Sequence, residues 1–202
     1  ALLALSLMSP STPQAEAIIR KYLEGNPRYE VRMDYARALL DTQRYAESAE
    51  QLQHVTAEKP DYSPAWLVRG SLELQDNKPA VAEKSLMRYI ELATAAKAAP
   101  DAVDGSRGLT QAYLLLAQIT EQRKDYAQAE QWLAKIDNAD DMVRAQSRRA
   151  SILARQGRLD EARKLLKSLP ERNPEEARAK LTAEVQLLRD NGVNAFLVGE
   201  AC

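Results

Sequence analysis

Residues 113–136, YLLLAQITEQRKDYAQAEQWLAKI, contain two apolar stripes separated by a polar turn at Arg123–Asp125. Each stripe repeats at intervals of three or four residues, which places its members on one face of an α-helix. The members are Tyr113, Leu116, Ala117 and Thr120 before the turn, and Ala129, Leu133 and Ile136 after it. Small residues at Ala117 and Ala129 allow the two helices to approach closely. The stretch therefore predicts a helical hairpin that must bury its apolar faces against neighbouring elements.

The same pattern recurs along the chain. A small residue lies early in each predicted second helix, and successive members are 33, 34, 47 and 33 residues apart: Ala15, Ser48, Ala82, Ala129 and Ala162. Two apolar sets keep these spacings: Ile19, Leu52, Leu86, Leu133 and Leu166, and Tyr22, Val55, Tyr89, Ile136 and Leu169. The first helices supply Ala36, Gly70, Ala117 and Ala150, at spacings of 34, 47 and 33. Self-similarity at this period indicates a repeat architecture.

These residues resemble the tetratricopeptide repeats, helix–turn–helix units of about 34 residues with the pattern W-x2-L-G-x2-Y, A-x3-F and P. Trp66 and Gly70 occupy the Trp and Gly positions of that pattern, and Ala82 and Leu86 occupy the Ala and Phe positions. Arg69 stands where a Leu is usual, and Arg149 and Thr120 are further departures. The resemblance spans nearly the whole chain. It implies an all-α, right-handed superhelical solenoid of stacked antiparallel helix pairs.

The repeat spacing divides residues 1–202 into the units of one solenoid. Residues 1–28 are a partial unit, residues 29–62, 63–96, 110–142 and 143–177 are full units, 97–109 are an insertion, and 178–202 are an incomplete unit. In the incomplete unit we expect Leu181, Val185 and Leu188 to face inward and Asn191-Gly192 to form the turn. We also expect Gly70 to lie at a tight contact between the 29–62 and 63–96 units.

Composition limits the classes of function. The chain is 45% hydrophobic and 28% charged, which provides enough apolar surface for a core and lacks the composition of a disordered protein. The net charge of −1 argues against nucleic-acid binding and against attraction to a membrane surface. A single cysteine, Cys202, permits no intramolecular disulfide and no cysteine-based zinc site.

The first residues, ALLALSLMS, are apolar but have no basic segment before them and are too short to span a bilayer. Leu3 falls in register with Ala36, so we interpret residues 1–8 as the end of a first helix. The chain thus looks like a fragment of a longer protein. Its alanine-rich, degenerate repeats are similar to those of large bacterial tetratricopeptide proteins, many of which are exported to the cell envelope.

The sequence predicts neither an active site nor a metal or cofactor site. His54, the only histidine, lies between Leu52 and Val55 and points away from their face, so we interpret it as a surface residue. The Gly-Ser-Arg-Gly segment within 97–109 lacks the Lys-Ser/Thr ending and the preceding strand of a phosphate-binding loop. Carboxylates are abundant, but they lie in runs of mixed sign that are typical of solvated helix faces.

A peptide-binding groove is the function that the resemblance implies, because the first helices of a tetratricopeptide array line its concave surface. The corresponding positions are Met33, Arg37, Leu40, Leu67, Ser71, Leu74, Leu114, Gln118, Glu121, Arg144, Arg148, Ser151 and Arg155. Three of these, Arg144, Arg148 and Arg155, form one stripe at helical spacing. We therefore expect a non-enzymatic interaction scaffold whose groove is apolar at first and basic later, and which binds an extended or helical segment with an acidic portion.

Other interpretations remain open at the level of the sequence. The arginines could instead be solvated, or paired with Asp140, Asp141 and Glu184. The array could be a structural element that associates with a second copy of itself through its ends. It could also be the regulatory arm of a larger protein whose other domains lie outside these residues.

Overall fold

The computed structural model describes residues 13–25, 28–97, 106–136, 139–169 and 174–190. These residues form ten α-helices, which confirms the predicted all-α class. In chain order the helices are α1 (Pro13–Gly25), α2 (Tyr29–Asp41), α3 (Tyr45–Glu58), α4 (Ser63–Gln75), α5 (Pro79–Lys97), α6 (Ser106–Gln122), α7 (Tyr126–Ala134), α8 (Ala139–Arg155), α9 (Leu159–Lys167) and α10 (Pro174–Asp190).

Contacts divide the chain into two compact units, Ala1–Ala112 and Tyr113–Cys202, whereas the repeat spacing predicts one continuous array. In the first unit α2 packs against α3 and α4 against α5, each as an antiparallel pair, and α3 also packs against α4. In the second unit α8 packs against α7, α9 and α10. In these contacts α2, α4 and α8 each lie against a second helix on either side, as expected for stacked helix pairs.

Four turns that join a first helix to its second helix share one backbone conformation. The residue two positions before each of these second helices has a positive φ: 60° at Gln43, 57° at Asn77, 62° at Lys124 and 77° at Gly157. In the first of these turns the N–H of Arg44 donates to the carbonyl of Leu39 at 2.8 Å, and the N–H of Gln43 donates to that of Leu40 at 2.9 Å. The other three turns repeat both bonds, the pattern of a Schellman C-cap. The backbone thus keeps the repeat register even where the residue type changes.

The first helix of a pair buries two faces, one toward each neighbour. On α2, Val31, Tyr35 and Leu39 pack with Ile19 and Leu23 of α1. Met33 and Ala36 pack on the other side, with Leu52, Val55, Ala65 and Leu72. In the second unit one core is formed by Ala117, Ala129, Leu133, Ile136, Ala145 and Ile152, and another by Val143, Ala150, Leu153, Ala154, Ala162, Leu166, Leu169 and Leu187.

Gly70 lies at a close helix contact, but not at the one expected from the sequence. A Cβ atom at this position would lie 2.8 Å from Leu86 Cγ and 3.3 Å from the carbonyl oxygen of Ala82. Both neighbours belong to α5, so the close approach is within the 63–96 helix pair rather than between the 29–62 and 63–96 pairs. The absence of a side chain at Gly70 is what allows α4 and α5 to pack at this distance.

Two further expectations differ from the structure, and others lie outside the described residues. Helix α5 ends at Lys97 and α6 begins at Ser106, so Lys97 and residues 106–109 of the predicted insertion are helical. Leu181 and Val185 are 61% and 51% exposed and do not face inward, whereas Leu187 is buried; the side chain of Leu188 lies outside those that the structure describes. The expected turn at 191–192, the residues before Pro13 and the terminal Cys202 lie outside the described residues.

Two ion-pair triads connect successive second helices. In the first triad the guanidinium of Arg44 donates to both oxygens of Glu16, each at 2.8 Å, and to Glu47. In the second triad Arg158 donates to Glu130 at 3.2 Å and to Glu161 at 2.8 Å. The members correspond by repeat spacing, because Glu16 and Glu130 lie one residue after the small residues Ala15 and Ala129. Both triads use the planar fork of arginine to join two carboxylates.

The first triad makes stability depend on pH in the acidic range. The pKa of Glu16 is lowered from 4.5 to about 2. Hydrogen bonds from Arg44 have the largest effect on this pKa, and hydrogen bonds from Arg20 and Tyr35 have smaller effects. A depressed carboxylate pKa stabilises the fold fully above pH 4.5, and this stabilisation is lost as pH falls toward about 2. We expect Glu16→Gln to lower the free energy of unfolding by about 1 kcal/mol at neutral pH. Below pH 4.5 the loss should become progressively smaller.

Thermal unfolding followed by circular dichroism at a series of pH values measures this difference. Glu24→Gln is the matched control, because Glu24 lies on the same helix and is exposed. A difference between parent and Glu16→Gln that stays constant from neutral to acidic pH would contradict the role assigned to the first triad.

Candidate functional site

In the first unit the structure removes two residues from the predicted groove. Met33 is 1% exposed and Leu74 is 9% exposed, and Met33 packs with Ala36 and Leu52 in the core between α2 and its neighbours. The prediction that these two side chains face a ligand is wrong. The physical reason is that a helix inside an array buries two stripes of residues, one toward each neighbouring helix. A residue that lies beside the first buried stripe therefore belongs to the second.

The other predicted residues of the first unit remain accessible to different degrees. Arg37 is exposed, and its guanidinium lies 3.4 Å from the carboxylate of Asp34, one turn earlier on α2. Leu40 is half-buried and packs against the core of α2, α3 and α4. Leu67 and Ser71 are half-buried on α4. This part of the predicted groove therefore offers scattered accessible groups, not a continuous apolar surface.

In the second unit the structure brings two predicted arginines together around the carboxylate of a third predicted residue, Glu121. Arg148 Nε lies 2.7 Å from Glu121 Oε1, and Arg155 Nη1 lies 3.7 Å from Glu121 Oε2. The side chain of Glu121 is 13% exposed, against 32% for Arg148 and 60% for Arg155. The partner of these arginines is thus Glu121 of α6, and not one of the acids considered from the sequence. Leu114 and Gln118, the other predicted residues of α6, are half-buried beside it.

Helix α8 presents the basic stripe because its other faces are occupied. Ala145 and Ile152 pack in the core shared with α7, and Val143, Ala150 and Leu153 pack in the core shared with α9. The remaining face holds Arg144, Arg148, Ser151 and Arg155 at helical spacing, and Arg144 is exposed. Among the residues that the structure describes, Arg144 has no ion-pair partner, so its charge is available to a ligand.

A cleft of about 780 Å³ lies along this face, between α8 and α10. Its α8 wall includes the predicted residues Arg144, Arg148 and Ser151, together with Ser147, and Asp141 and Val143 complete that side. Its α10 wall is formed by Glu175, Glu176, Ala179, Thr182 and Ala183. The volume of the cleft is within the size range of protein ligand sites.

The two walls of the cleft differ in charge. The arginines lie on α8, and Glu175 and Glu176 lie in the first turn of α10, where negative charge is favoured by the helix dipole. Sequence reasoning missed the α10 wall, because it assigned Leu181 and Val185 to the inner face of that helix. The small residues Ala179 and Ala183, spaced by four, are the signal that would have identified the face lining the cleft.

Metal-binding clusters are absent among the described residues. Within them, no group of three or more histidine, cysteine, aspartate or glutamate side chains is placed to share a metal ion. His54 is exposed on α3, in agreement with its interpretation as a surface residue. No described helix is both long enough and apolar enough to cross a membrane.

Comparisons with known proteins agree on the fold. The tetratricopeptide repeat model matches residues 12–63, 33–102 and 136–177. No curated protein matches the chain.

Solved structures show the same arrangement of helices at low sequence identity. The structure of MamA is 18% identical, with a TM-score of 0.64, and the match covers 87% of this chain and 90% of that chain. Pseudomonas aeruginosa PilF is 18% identical with a TM-score of 0.61, covering 92% of this chain and 78% of that chain. YrrB, described as a TPR protein with an unusual peptide-binding site, is 14% identical with a TM-score of 0.61, covering 88% and 85%.

The helix pairs, their common turn and the matching solenoid structures therefore agree with the family model, whose matches extend over more than half of the sequence. The chain belongs to the tetratricopeptide repeat family.

Proposed function

We propose that the chain is a non-enzymatic scaffold that binds a segment of a partner protein in the cleft between α8 and α10. The bound segment carries acidic side chains that pair with Arg144 and Arg148 on α8. Proteins of this fold bind other proteins or peptides, which supports the general class of function. The observation that supports this particular cleft is the exposed Arg144 beside a partly exposed Arg148, on a wall that no described helix covers.

The geometry also gives the bound segment an orientation. Its acidic side must lie against α8, because Glu175 and Glu176 would repel it on the α10 wall. Glu121 already pairs with Arg148 and Arg155, so a ligand carboxylate shares these two arginines with Glu121 but has Arg144 to itself. Hydrogen bonds between guanidinium and carboxylate groups are among the stronger ones in proteins, so Arg144 should contribute most to specificity.

The test is the affinity of a fluorescein-labelled peptide of alternating glutamate and alanine, measured by fluorescence anisotropy. We expect Arg144→Glu to weaken binding by about tenfold or more, since it removes a charge-assisted hydrogen bond and adds repulsion. The triple variant Arg144→Glu/Arg148→Glu/Arg155→Glu should abolish binding. Arg163→Glu is the matched control, because it makes the same charge change at an exposed position of α9 outside the cleft.

Equal affinities of the parent, Arg144→Glu and the triple variant would refute the proposed groove. The same would follow if Arg163→Glu weakened binding as much as Arg144→Glu, since only net charge would then matter. Affinity capture with the parent and with Arg144→Glu, followed by mass spectrometry, would next identify the natural ligand.

Self-association is a second candidate function, and one specific observation favours it. Leu181 and Val185 are large aliphatic residues of α10 that are exposed and lie one turn apart. A pair of such residues on an uncovered helix face can pack against a second copy of the chain. A mass that rises with concentration in light scattering, and that falls to the monomer value in Leu181→Lys, would support this function over a peptide groove.

A further inference from the structure

The triad that joins successive second helices is absent from one of the places where the repeat spacing puts it. The positions corresponding to Glu16, Arg44 and Glu47 of the first triad are Ala49, Lys78 and Val81, one unit further along. The side chains of Ala49 and Val81 have no group that can accept a hydrogen bond, and Lys78 instead pairs with Asp76 at 2.5 Å. Between α3 and α5, the space that corresponds to the two triads therefore contains no triad of this kind.

A cleft of about 680 Å³ lies at this place, within the first unit. Its apolar part is formed by Ala46 and Ala49 of α3, Leu72 of α4 and the more exposed Tyr45 and Val81. Tyr45 and Val81 are 40% and 43% exposed, although both are large and apolar. None of the residues of the predicted groove lines this cleft, so it is separate from that surface.

The charged groups around the cleft are mostly neutralised by one another. Arg69 Nε lies 2.8 Å from Glu73 Oε1, and the hydroxyl of Ser85 donates to the other oxygen of Glu73 at 2.6 Å. Lys78 and Asp76 form a pair at the end of α4. Glu50, in contrast, is exposed on α3 and has no ion-pair partner among the described residues. The charge left available at the edge of the apolar surface is therefore negative.

We propose that the cleft between α3, α4 and α5 is a second interaction surface, which binds a short segment of a partner protein carrying an apolar side chain beside a lysine or arginine. The apolar side chain lies among Ala49, Leu72 and Val81, and the basic group pairs with Glu50. An apolar anchor gives affinity by removing exposed surface of Tyr45 and Val81 from water, and the basic group sets the orientation. The occupant is a basic segment, so it differs in charge from the acidic ligand of the α8–α10 cleft.

The chain itself provides the variant that closes this surface. Ala49→Glu/Lys78→Arg/Val81→Glu reproduces the residue types of the two triads at the corresponding positions. Because the same arrangement is found twice in this fold, we expect the variant to remain folded, with a thermal midpoint no lower than that of the parent. A second variant, Glu50→Lys, leaves the apolar part of the cleft unchanged and reverses the available charge.

The probe is a displayed library of random short peptides, selected on the immobilised parent and counter-selected on the closed variant. We expect the enriched peptides to share an aliphatic or aromatic residue within one helical turn of a lysine or arginine. A synthetic peptide with an enriched sequence should bind the closed variant at least about tenfold more weakly than it binds the parent. It should bind Glu50→Lys several-fold more weakly than it binds the parent. Arg144→Glu should bind it as the parent does, which separates this surface from the groove.

Three results would overturn the proposal. The first is a selection in which no peptide distinguishes the parent from the closed variant. The second is enrichment of acidic peptides, or of apolar peptides without a basic residue. The third is a parent that self-associates in light scattering while the closed variant is monomeric, since a second copy of the chain would then be the occupant.

Discussion

Leu133→Ala is expected to lower the free energy of unfolding by about 2–5 kcal/mol, because it removes a large side chain from a fully enclosed site. Leu133 is 0% exposed and belongs to the core of Ala117, Ala129, Ile136, Ala145 and Ile152. Helices α6, α7 and α8 all contribute to this core, so none of them can move to fill the cavity without leaving another neighbour. The loss should therefore lie toward the upper part of that range.

Urea denaturation, followed by circular dichroism, measures the change. Leu181→Ala is the matched control, since it makes the same substitution at a leucine that is 61% exposed. That variant should change the free energy of unfolding by less than about 0.5 kcal/mol. A cost for Leu133→Ala as small as that of the control would show that α7 does not pack in the second unit as described.

Gly70→Leu is expected to destabilise the first unit by about 3 kcal/mol, through overpacking rather than through a cavity. The added Cβ alone would lie 2.8 Å and 2.9 Å from Leu86 Cγ and Cδ2, closer than side-chain atoms pack. Leu86 is 0% exposed, so its side chain is enclosed by the core and cannot turn outward into solvent without disturbing the packing. The helices α4 and α5 would have to separate, which would also disturb the contact of α4 with α3.

The same denaturation measurement tests this prediction, with Gly25→Leu as the control, because a Cβ at Gly25 has nothing within 4 Å. A double variant, Gly70→Leu/Leu86→Ala, should recover part of the lost stability, since it removes the atoms that clash. If Gly70→Leu unfolds at the same urea concentration as the parent, the close approach of α4 and α5 is not a constraint on the fold.

The helix pairs could be predicted from the sequence because their signal is local and repeated. Spacings of three and four residues define each helix, and the period near 34 residues identifies equivalent positions in successive pairs. Ala117 and Ala129, chosen on this basis, are both fully buried. The assignment of the tetratricopeptide family needed no more than this pattern, and the family model confirms it.

The faces of individual helices were harder to predict, for a physical reason that Met33 and Val185 illustrate. A helix within a stack buries two stripes, and a sequence pattern does not show which stripe has a neighbour. On α2 both stripes are covered, so Met33 is buried. On α10 the stripe of Leu181 and Val185 is apolar but exposed, and Leu187 on another face is buried instead.

The polar contacts of the site could not be predicted, because they join residues far apart in the chain. Glu121 and Arg148 belong to different helix pairs, and so do Glu16 and Arg44. In the sequence these charges look like solvated helix faces, and only the packing of the helices brings them within hydrogen-bond distance. The pairing of Glu121 with two arginines is what turns the expected basic stripe into a surface with one fully available guanidinium.

The common turn conformation has a consequence for how such repeats diverge. Gln43, Asn77 and Lys124 adopt a left-handed backbone that glycine adopts at the equivalent position, Gly157. A residue with a Cβ is less stable in this conformation, by about 1 kcal/mol, so three of the four turns are kept despite an unfavourable local preference. The residue type differs among the four positions while the backbone conformation stays the same. Alignment of distant repeats by main-chain torsion angle should accordingly locate unit boundaries where residue identity has drifted beyond recognition.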